Sequence, residues 1–307
     1  MIELKEINKF FNQKQALDGI NLSIDKGQIF GLIGPNGAGK TTVIRILNQI
    51  IQPSTGSILV GGMPLCSEHV RSFGYLPEER GLYREMKVLD HLIFLARIRG
   101  MSNLSAKNAA HNWLEKFQIT SWGNKKINAL SKGMAQKIQF IGSVLHNPQI
   151  IILDEPLSGF DPLNIQMILD EIKQFKTEGK TVIFSTHNMN SVDEICNNVA
   201  LIHNGKLLAH EDVNALRLKH KTGSFNIRFK GNQIALANAL WTSFELINAV
   251  EIGDQWFQAE IKSRQGQSFN DVYSLLSGFI ELQLIEEKLP GMQDVFLKLV
   301  TASEDEK

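Results

Sequence analysis

The chain has 307 residues, of which 43% are apolar and 21% charged, a composition that suits a globular protein of two domains better than a disordered or fibrous one. Its 32 basic and 32 acidic residues cancel, so no global field favours nucleic acid or an anionic membrane, and the short clusters Lys125-Lys126 and Lys219-His220-Lys221 read as solvated surface. The two cysteines, Cys66 and Cys196, lack ligand-like neighbours, which fits a reducing compartment; no apolar run is long enough to span a bilayer, and Met1 to Glu6 lacks a signal-like core.

In chain order, Ile2 to Leu4 and Ile20 to Ile24 read as short strands. Gln28 to Ile33 reads as a buried strand, followed by a glycine-rich loop and a helix from Thr41 to Asn48. After Pro53, Ile58-Leu59-Val60 and Gly61-Gly62 predict a hairpin. From about residue 87 to 145 the texture becomes helical, with Val88, Leu89, Leu92, Ile93, Leu95 and Ala96 on one face and the pattern repeated from Ala106 to Phe117. Ile150 to Leu153 and Thr181 to Ser185 are continuous apolar runs, as in parallel strands covered on both faces, with a helix from Ile165 to Phe175 between them.

The fold class expected is a doubly wound α/β core with an antiparallel β subdomain and a helical insertion, and its glycine-rich loop, Gly34 to Thr42, fits the G-x-x-x-x-G-K-[ST] pattern of a P-loop NTPase core. The character changes around Gly205 to Gly223. A strand at Phe225–Lys230, a helix at Gln233–Thr242, two strands flanking Gly253-Asp254, a helix at Ser268–Ser277 and a strand at Ile280–Glu286 give the order βαββαβ. That order predicts a small ferredoxin-like α+β domain. The expected division is residues 1–220 and 221–302, with a last helix at Met292–Val300 and a frayed tail at Ser303–Lys307.

The chemistry is concentrated in Gly34-Pro35-Asn36-Gly37-Ala38-Gly39-Lys40-Thr41-Thr42, which fits the phosphate-binding pattern G-x-x-x-x-G-K-[ST]. Glycines let backbone N–H groups turn inward around an anion. Lys40 can reach the β- and γ-phosphates of a nucleotide, and the Thr41 hydroxyl can ligate Mg²⁺. The following helix presents its positive end to the phosphates. A second signal is Ile150 to Pro156, where an apolar strand ends in Asp154-Glu155. Asp154 can hold Mg²⁺ through water, and Glu155 can polarise a water facing the γ-phosphate. A third is Leu130-Ser131-Lys132-Gly133-Met134, where Ser131 suits a helix N-cap.

The order phosphate loop, helical insertion, Leu-Ser-x-Gly, Asp-Glu resembles the ATP-binding subunit of ABC transporters over roughly residues 1–220. The resemblance implies an ATPase whose two subunits sandwich two ATP molecules. Ser131 and Gly133 of one subunit would contact the γ-phosphate held by the other. It implies that Lys40, Thr41 and Asp154 bind Mg-ATP, that Glu155 is the base and that His187 in Ser185-Thr186-His187 reaches the γ-phosphate. Asp161 would communicate across the dimer, although it also suits an N-cap before Pro162. Phe11 stands where the family stacks an aromatic ring on adenine.

Two departures matter. Leu-Ser-Gly-Gly-Gln is Leu-Ser-Lys-Gly-Met here, and the metal-ligating glutamine should fall in Gly74-Tyr75-Leu76-Pro77-Glu78-Glu79-Arg80, where Glu78 or Glu79 replaces it. A carboxylate can ligate Mg²⁺ as well as an amide oxygen does. Gly81-Leu82-Tyr83 and Ser-Lys-Gly-Met resemble a sodium-extrusion and export subgroup with a small C-terminal domain, whose closing helix Gly291 to Leu297 resembles. The implied partners are ATP, a second like subunit (identical or similar) and a separate membrane permease docking near Glu78 to Leu95, with no nucleic acid. The implied location is the inner face of the cell membrane, from the cytoplasm. Two other readings stay open: an ABC ATPase acting on ribosomes or nucleic acid, and a regulatory ATP-binding module with little turnover. The transported cargo is not legible.

Overall fold

The computed structural model describes residues 1–79, 81–264 and 266–305. It falls into two compact units, Met1–Val213 with Leu299–Lys307, and Asn214–Lys298. Arg80 of the acidic loop and Glu306 and Lys307 of the tail lie outside the described residues.

In the first unit, β1 (Ile2–Phe11) and β2 (Lys14–Ile24) form a hairpin. It is longer than the two short strands expected, because the polar halves of both strands continue the ladder with register shifts. Next come β3 (Ile29–Ile33), α1 (Lys40–Leu47), β4 (Thr55–Val60), β5 (Met63–Pro64), α2 (Ser67–Ser72) and β6 (Gly74–Leu76). The helical insertion follows as α3 (Val88–Ile98), α4 (Asn103–Lys116) and α5 (Lys132–Val144). The core resumes with β7 (Ile150–Asp154), α6 (Pro162–Thr177), β8 (Thr181–Thr186), α7 (Met189–Ile195), β9 (Asn198–His203) and β10 (Lys206–Asp212); α8 (Val213–Lys219) then passes into the second unit.

Two sheets organise these elements. One is antiparallel, β2-β1-β4-β5; the other is mixed, β10-β9-β3-β8-β7-β6, parallel except for the edge strand β10. Every residue of β3 and β8 is buried, which is why those segments read as unbroken apolar runs. The two apolar clusters divide the labour. One packs Phe30, Leu32, Val43, Ile44 and Ile183 against the antiparallel sheet. The other packs Phe140, Ile141, Leu153, Ile172 and Phe184 against the helical insertion. The phosphate loop leaves the carboxyl end of central strand β3, the usual ligand position in such sheets.

The second unit contains β11 (Ser224–Lys230), α9 (Gln233–Leu240), β12 (Phe244–Gly253), β13 (Trp256–Ser263), α10 (Phe269–Leu276) and β14 (Glu281–Lys288). Its antiparallel sheet runs β12-β13-β11-β14, the ferredoxin-like order. Phe225, Ile227, Phe229 and Ile261 face Leu236, Leu240, Val272 and Leu276 of the helices across one core. The last helix, α11 (Met292–Asp305), continues through Ser303, where fraying was expected. Among the described residues no helix is long and apolar enough to cross a membrane.

Candidate nucleotide site

A cleft of about 590 Å³ opens around the phosphate loop, lined by Asn36, Gly37, Gly39, Lys40, Thr41 and Thr42 and by Phe11, Glu78 and Glu155 from other segments. The loop's shape follows from its glycines. Gly34, Gly37 and Gly39 have φ of 151°, 77° and 116°, a region that side chains disfavour. At Gly34 there is also no room, since a Cβ would lie 2.1 Å from the Ile202 carbonyl oxygen. Ala38 N–H closes the turn on Pro35 O at 3.2 Å. Gly39 caps α1 without a side-chain bond, so the first-turn N–H groups of that helix face the cleft for an anion.

Lys40 is 5% exposed. Its ammonium donates to Gly34 O at 2.7 Å and Pro35 O at 3.1 Å and stands 3.6 Å from Glu155 Oε1. Glu155 follows buried β7 in a left-handed conformation (φ 49°), a costly choice for a non-glycine residue that turns its side chain out of the strand direction. Its N–H donates to Ser185 O at 3.1 Å, and its carbonyl accepts Ser158 N–H at 3.1 Å. His187, half-exposed beyond the end of β8, places Nδ1 2.9 Å from Glu155 Oε1. A carboxylate only accepts, so this geometry puts the proton on Nδ1.

Asp154 is 1% exposed. Its Oδ1 accepts the Ser185 hydroxyl at 2.7 Å, while Oδ2 is buried with no hydrogen-bond partner. Burial pushes its carboxyl above the usual carboxylate range, against the pull of the Ser185 and Thr41 hydroxyls. A buried carboxylate oxygen without a donor, beside a threonine hydroxyl, fits a cation as its missing partner. Thr41, Glu78 and Asp154 line one recess of about 390 Å³. Among the described residues no cluster of three or more His, Cys, Asp or Glu side chains could hold a metal ion. Both glutamates line this recess, and Glu78 lines the phosphate cleft as well; the Glu79 side chain is 89% exposed and stands 3.9 Å from Arg45 on α1. Tyr75 lines the recess too, its phenol pushed up to about 12 by burial and by Asp154.

Other expected site residues stand apart. Ser131, Gly133 and Asp161 do not line the cleft. Ser131 is the N-cap of α5, its hydroxyl accepting Met134 N–H at 3.3 Å, and a Cβ on Gly133 would meet only open space. Asp161 is the N-cap of α6, its Oδ1 accepting Asn164 N–H at 3.0 Å, which lowers its carboxyl below the ordinary range. Phe11, 47% exposed at the end of β1, carries the Lys9 ammonium 5.1 Å from its ring centre. Sequence reasoning missed Ala16, Asn204 and Gly205 of the cleft wall. Asn204-Gly205 is the two-residue turn between β9 and β10, with φ of 48° and 77°, and Gly205 N–H donates to Ala38 O at 2.9 Å. An Asn-Gly pair between apolar alternations is a hairpin signal legible in the sequence.

Comparisons with known proteins agree with this geometry. The family described as "ABC transporter" matches residues 17–158. The uncharacterized ABC transporter ATP-binding protein YhaQ of Bacillus subtilis is 35% identical over 98% of this chain and 99% of its own length. Nod factor export ATP-binding protein I of Rhizobium sp. (strain N33) is 30% identical over 100% of this chain and 98% of its own. A solved ATP-binding subunit of an ABC transporter superposes with a TM-score of 0.66 at 29% identity, covering 71% of this chain and 92% of that one. The chain belongs to the ABC transporter family, as an ATP-binding subunit that hydrolyses ATP for transport.

Proposed function

We propose that two copies of this chain, or one copy and a similar subunit, clamp two Mg-ATP molecules between them and drive a separate membrane permease that exports its cargo. The observation that carries this reading is a division of labour. The phosphate loop, Glu78, Glu155 and Phe11 share one cleft, while Ser131 and Gly133 sit at an exposed helix start outside it. A helix start capped only by Ser131, with open space over Gly133, suits the γ-phosphate bound to a partner.

In this reading Phe11 stacks on adenine and the loop N–H groups of residues 34–42 hold the phosphates. Lys40 turns from Gly34 O and Pro35 O to the β- and γ-phosphates. Mg²⁺ bound by Thr41, Asp154 and Glu78 would supply charge neutralisation at the β- and γ-phosphate oxygens. Glu155 accepts the proton of the attacking water, a role worth about 10²–10⁴-fold. His187 orients that carboxylate and reaches the γ-phosphate. Asp161 reports the state of one site to the other. Residues 1–220 act as the cassette and 221–302 as an accessory domain; Tyr83, Phe94 and neighbouring residues dock the permease from the cytoplasmic side of the membrane. The full-length likeness to a Nod factor export protein supports export.

Light scattering tests the clamp. The Glu155→Gln variant with ATP and Mg²⁺ is expected at twice the monomer mass, and with ADP at the monomer mass. A monomer under both conditions would contradict the reading.

A further inference from the structure

Helix α5 carries polar residues where a face packed against the core would ordinarily be apolar. Lys132, Gln136 and Gln139 recur at i, i+4 and i+7 and so share one face. All three line a recess of about 260 Å³ whose other wall includes Glu78, Asp154 and Glu155. Lys132 and Gln136 reach the loop between β7 and α6, and Gln139 reaches the loop after β6. The Lys132 ammonium lies over Gly159, 3.3 Å from where a Cβ on that glycine would stand. Gln136 Nε2 donates to Pro156 O at 3.4 Å. Gln139 Nε2 donates to Pro77 O at 3.0 Å and to Glu79 O at 3.1 Å.

The last pair is the informative one. Pro77 and Glu79 are the residues on either side of Glu78. An amide nitrogen has two protons, and here each goes to one of the flanking carbonyls. Gln139 is 8% exposed, so both bonds are made from a buried side chain and are partly shielded from water. Glu78 itself is exposed and lines the phosphate cleft. Glu78 is thus exposed while the carbonyls on either side of it are held by one side chain of helix α5. The same helix begins at Ser131.

We propose that Gln139 is a positioning residue for Glu78. It fixes where that carboxylate stands relative to Thr41 and Asp154, and it makes that placement depend on the pose of the helix that starts at Ser131. The inference rests on the reading of Glu78 as a ligand to the cation that accompanies ATP. A partner that supports a metal ligand without touching the metal typically contributes 10–100-fold in metal affinity.

The test uses the full chain, Mn²⁺ as a paramagnetic stand-in for Mg²⁺, and Gln139→Met, which keeps the volume and removes both donors. Gln139→Asn, which keeps the amide but shortens its reach, serves if the first variant is poorly folded. Three quantities are read: ATP affinity in EDTA, Mn²⁺ affinity of the ATP-loaded protein, and amide exchange across residues 76–82. The expected result is unchanged ATP affinity in EDTA, Mn²⁺ affinity weakened about 10-fold, and faster exchange. In a Glu78→Ala background the Gln139 substitution is expected to weaken Mn²⁺ no further. Mn²⁺ affinity unchanged by Gln139→Met, or weakened equally with and without Glu78, would overturn the proposal and leave Gln139 a packing residue. If Glu78→Ala alone leaves Mn²⁺ affinity intact while exchange still rises in Gln139→Met, the metal reading of Glu78 falls, and the proposed consequence falls with it.

Discussion

Glu155 Oε1 lies 2.9 Å from His187 Nδ1 and 3.6 Å from Lys40 Nζ, so one carboxylate oxygen joins the end of β8 to the phosphate loop. Glu155 is 10% exposed, and in that position it is oriented from two sides.

Its replacement separates binding from chemistry. Glu155→Gln keeps the shape and can still accept from His187 through its amide oxygen, but it can no longer take up a proton. Phosphate release is expected to fall by about 10²–10⁴-fold, with ATP affinity within about 2-fold of the native chain. A rate within threefold of the native chain would remove Glu155 from its role.

The phosphate loop gives a steric prediction. Gly34→Ala would force a Cβ to within 2.1 Å of Ile202 O, whereas at Gly37 a Cβ would meet nothing within 4 Å. Gly34→Ala is expected to cost about 3 kcal/mol or more and to abolish ATP binding. Gly37→Ala carries only the strain of φ 77°, about 1 kcal/mol. Chemical unfolding of the two variants side by side measures the difference.

A pH dependence follows from the helical insertion. His91 on α3 is fully buried, with neither ring nitrogen partnered, and burial lowers its pKa from 6.5 to about 4. His146 is lowered to about 4 by burial, helped by Arg99. A folded pKa below the unfolded one means stability that is full above 6.5 and lost as pH falls toward 4. Each group contributes a loss of about 2 kcal/mol at pH 5. His91→Leu is expected to remove roughly half of the combined fall in unfolding free energy between pH 7 and pH 5. An unchanged fall would show that His91 is not buried neutral.

The permease surface is tested at exposed residues only. Tyr83 is 55% exposed and meets Phe94 edge-on at 5.4 Å; Ile98, 61% exposed, lies one turn beyond Phe94 on α3. Leu82 packs against the core and is unsuitable for the test. Tyr83→Asp with Ile98→Asp is expected to abolish copurification with the permease while ATP binding persists. Undiminished copurification would move the docking surface elsewhere.

The strands beneath the candidate site were legible because buried parallel strands are apolar throughout. Ile150 to Asp154 reads as a buried strand ending in an acid, and that strand is β7. The loop after β3 was legible because only glycine tolerates its backbone. The halves of β1 and β2 next to their turn were not, since in β1 Lys5 and Glu6 are exposed, Asn8 and Lys9 are half-buried, and the run carries no alternation. Nor was β6, whose three residues are too short for a period. The role of Gln139 was hidden for another reason: its partners are backbone carbonyls about sixty positions upstream, and carbonyls leave no trace in a sequence.

Mixing two inactive variants tests directly whether one ATP lies between two chains. Lys40→Ala removes the phosphate-loop cation, and Ser131→Glu places a carboxylate where the partner's γ-phosphate would dock. In a mixed pair, one composite site carries both defects and the other carries neither. An equimolar mixture is therefore expected to recover about a quarter of the native phosphate-release rate, half the pairs being mixed and each holding one intact site. No recovery above the two separate variants, in a mixture shown by pull-down to contain mixed pairs, would contradict the shared site.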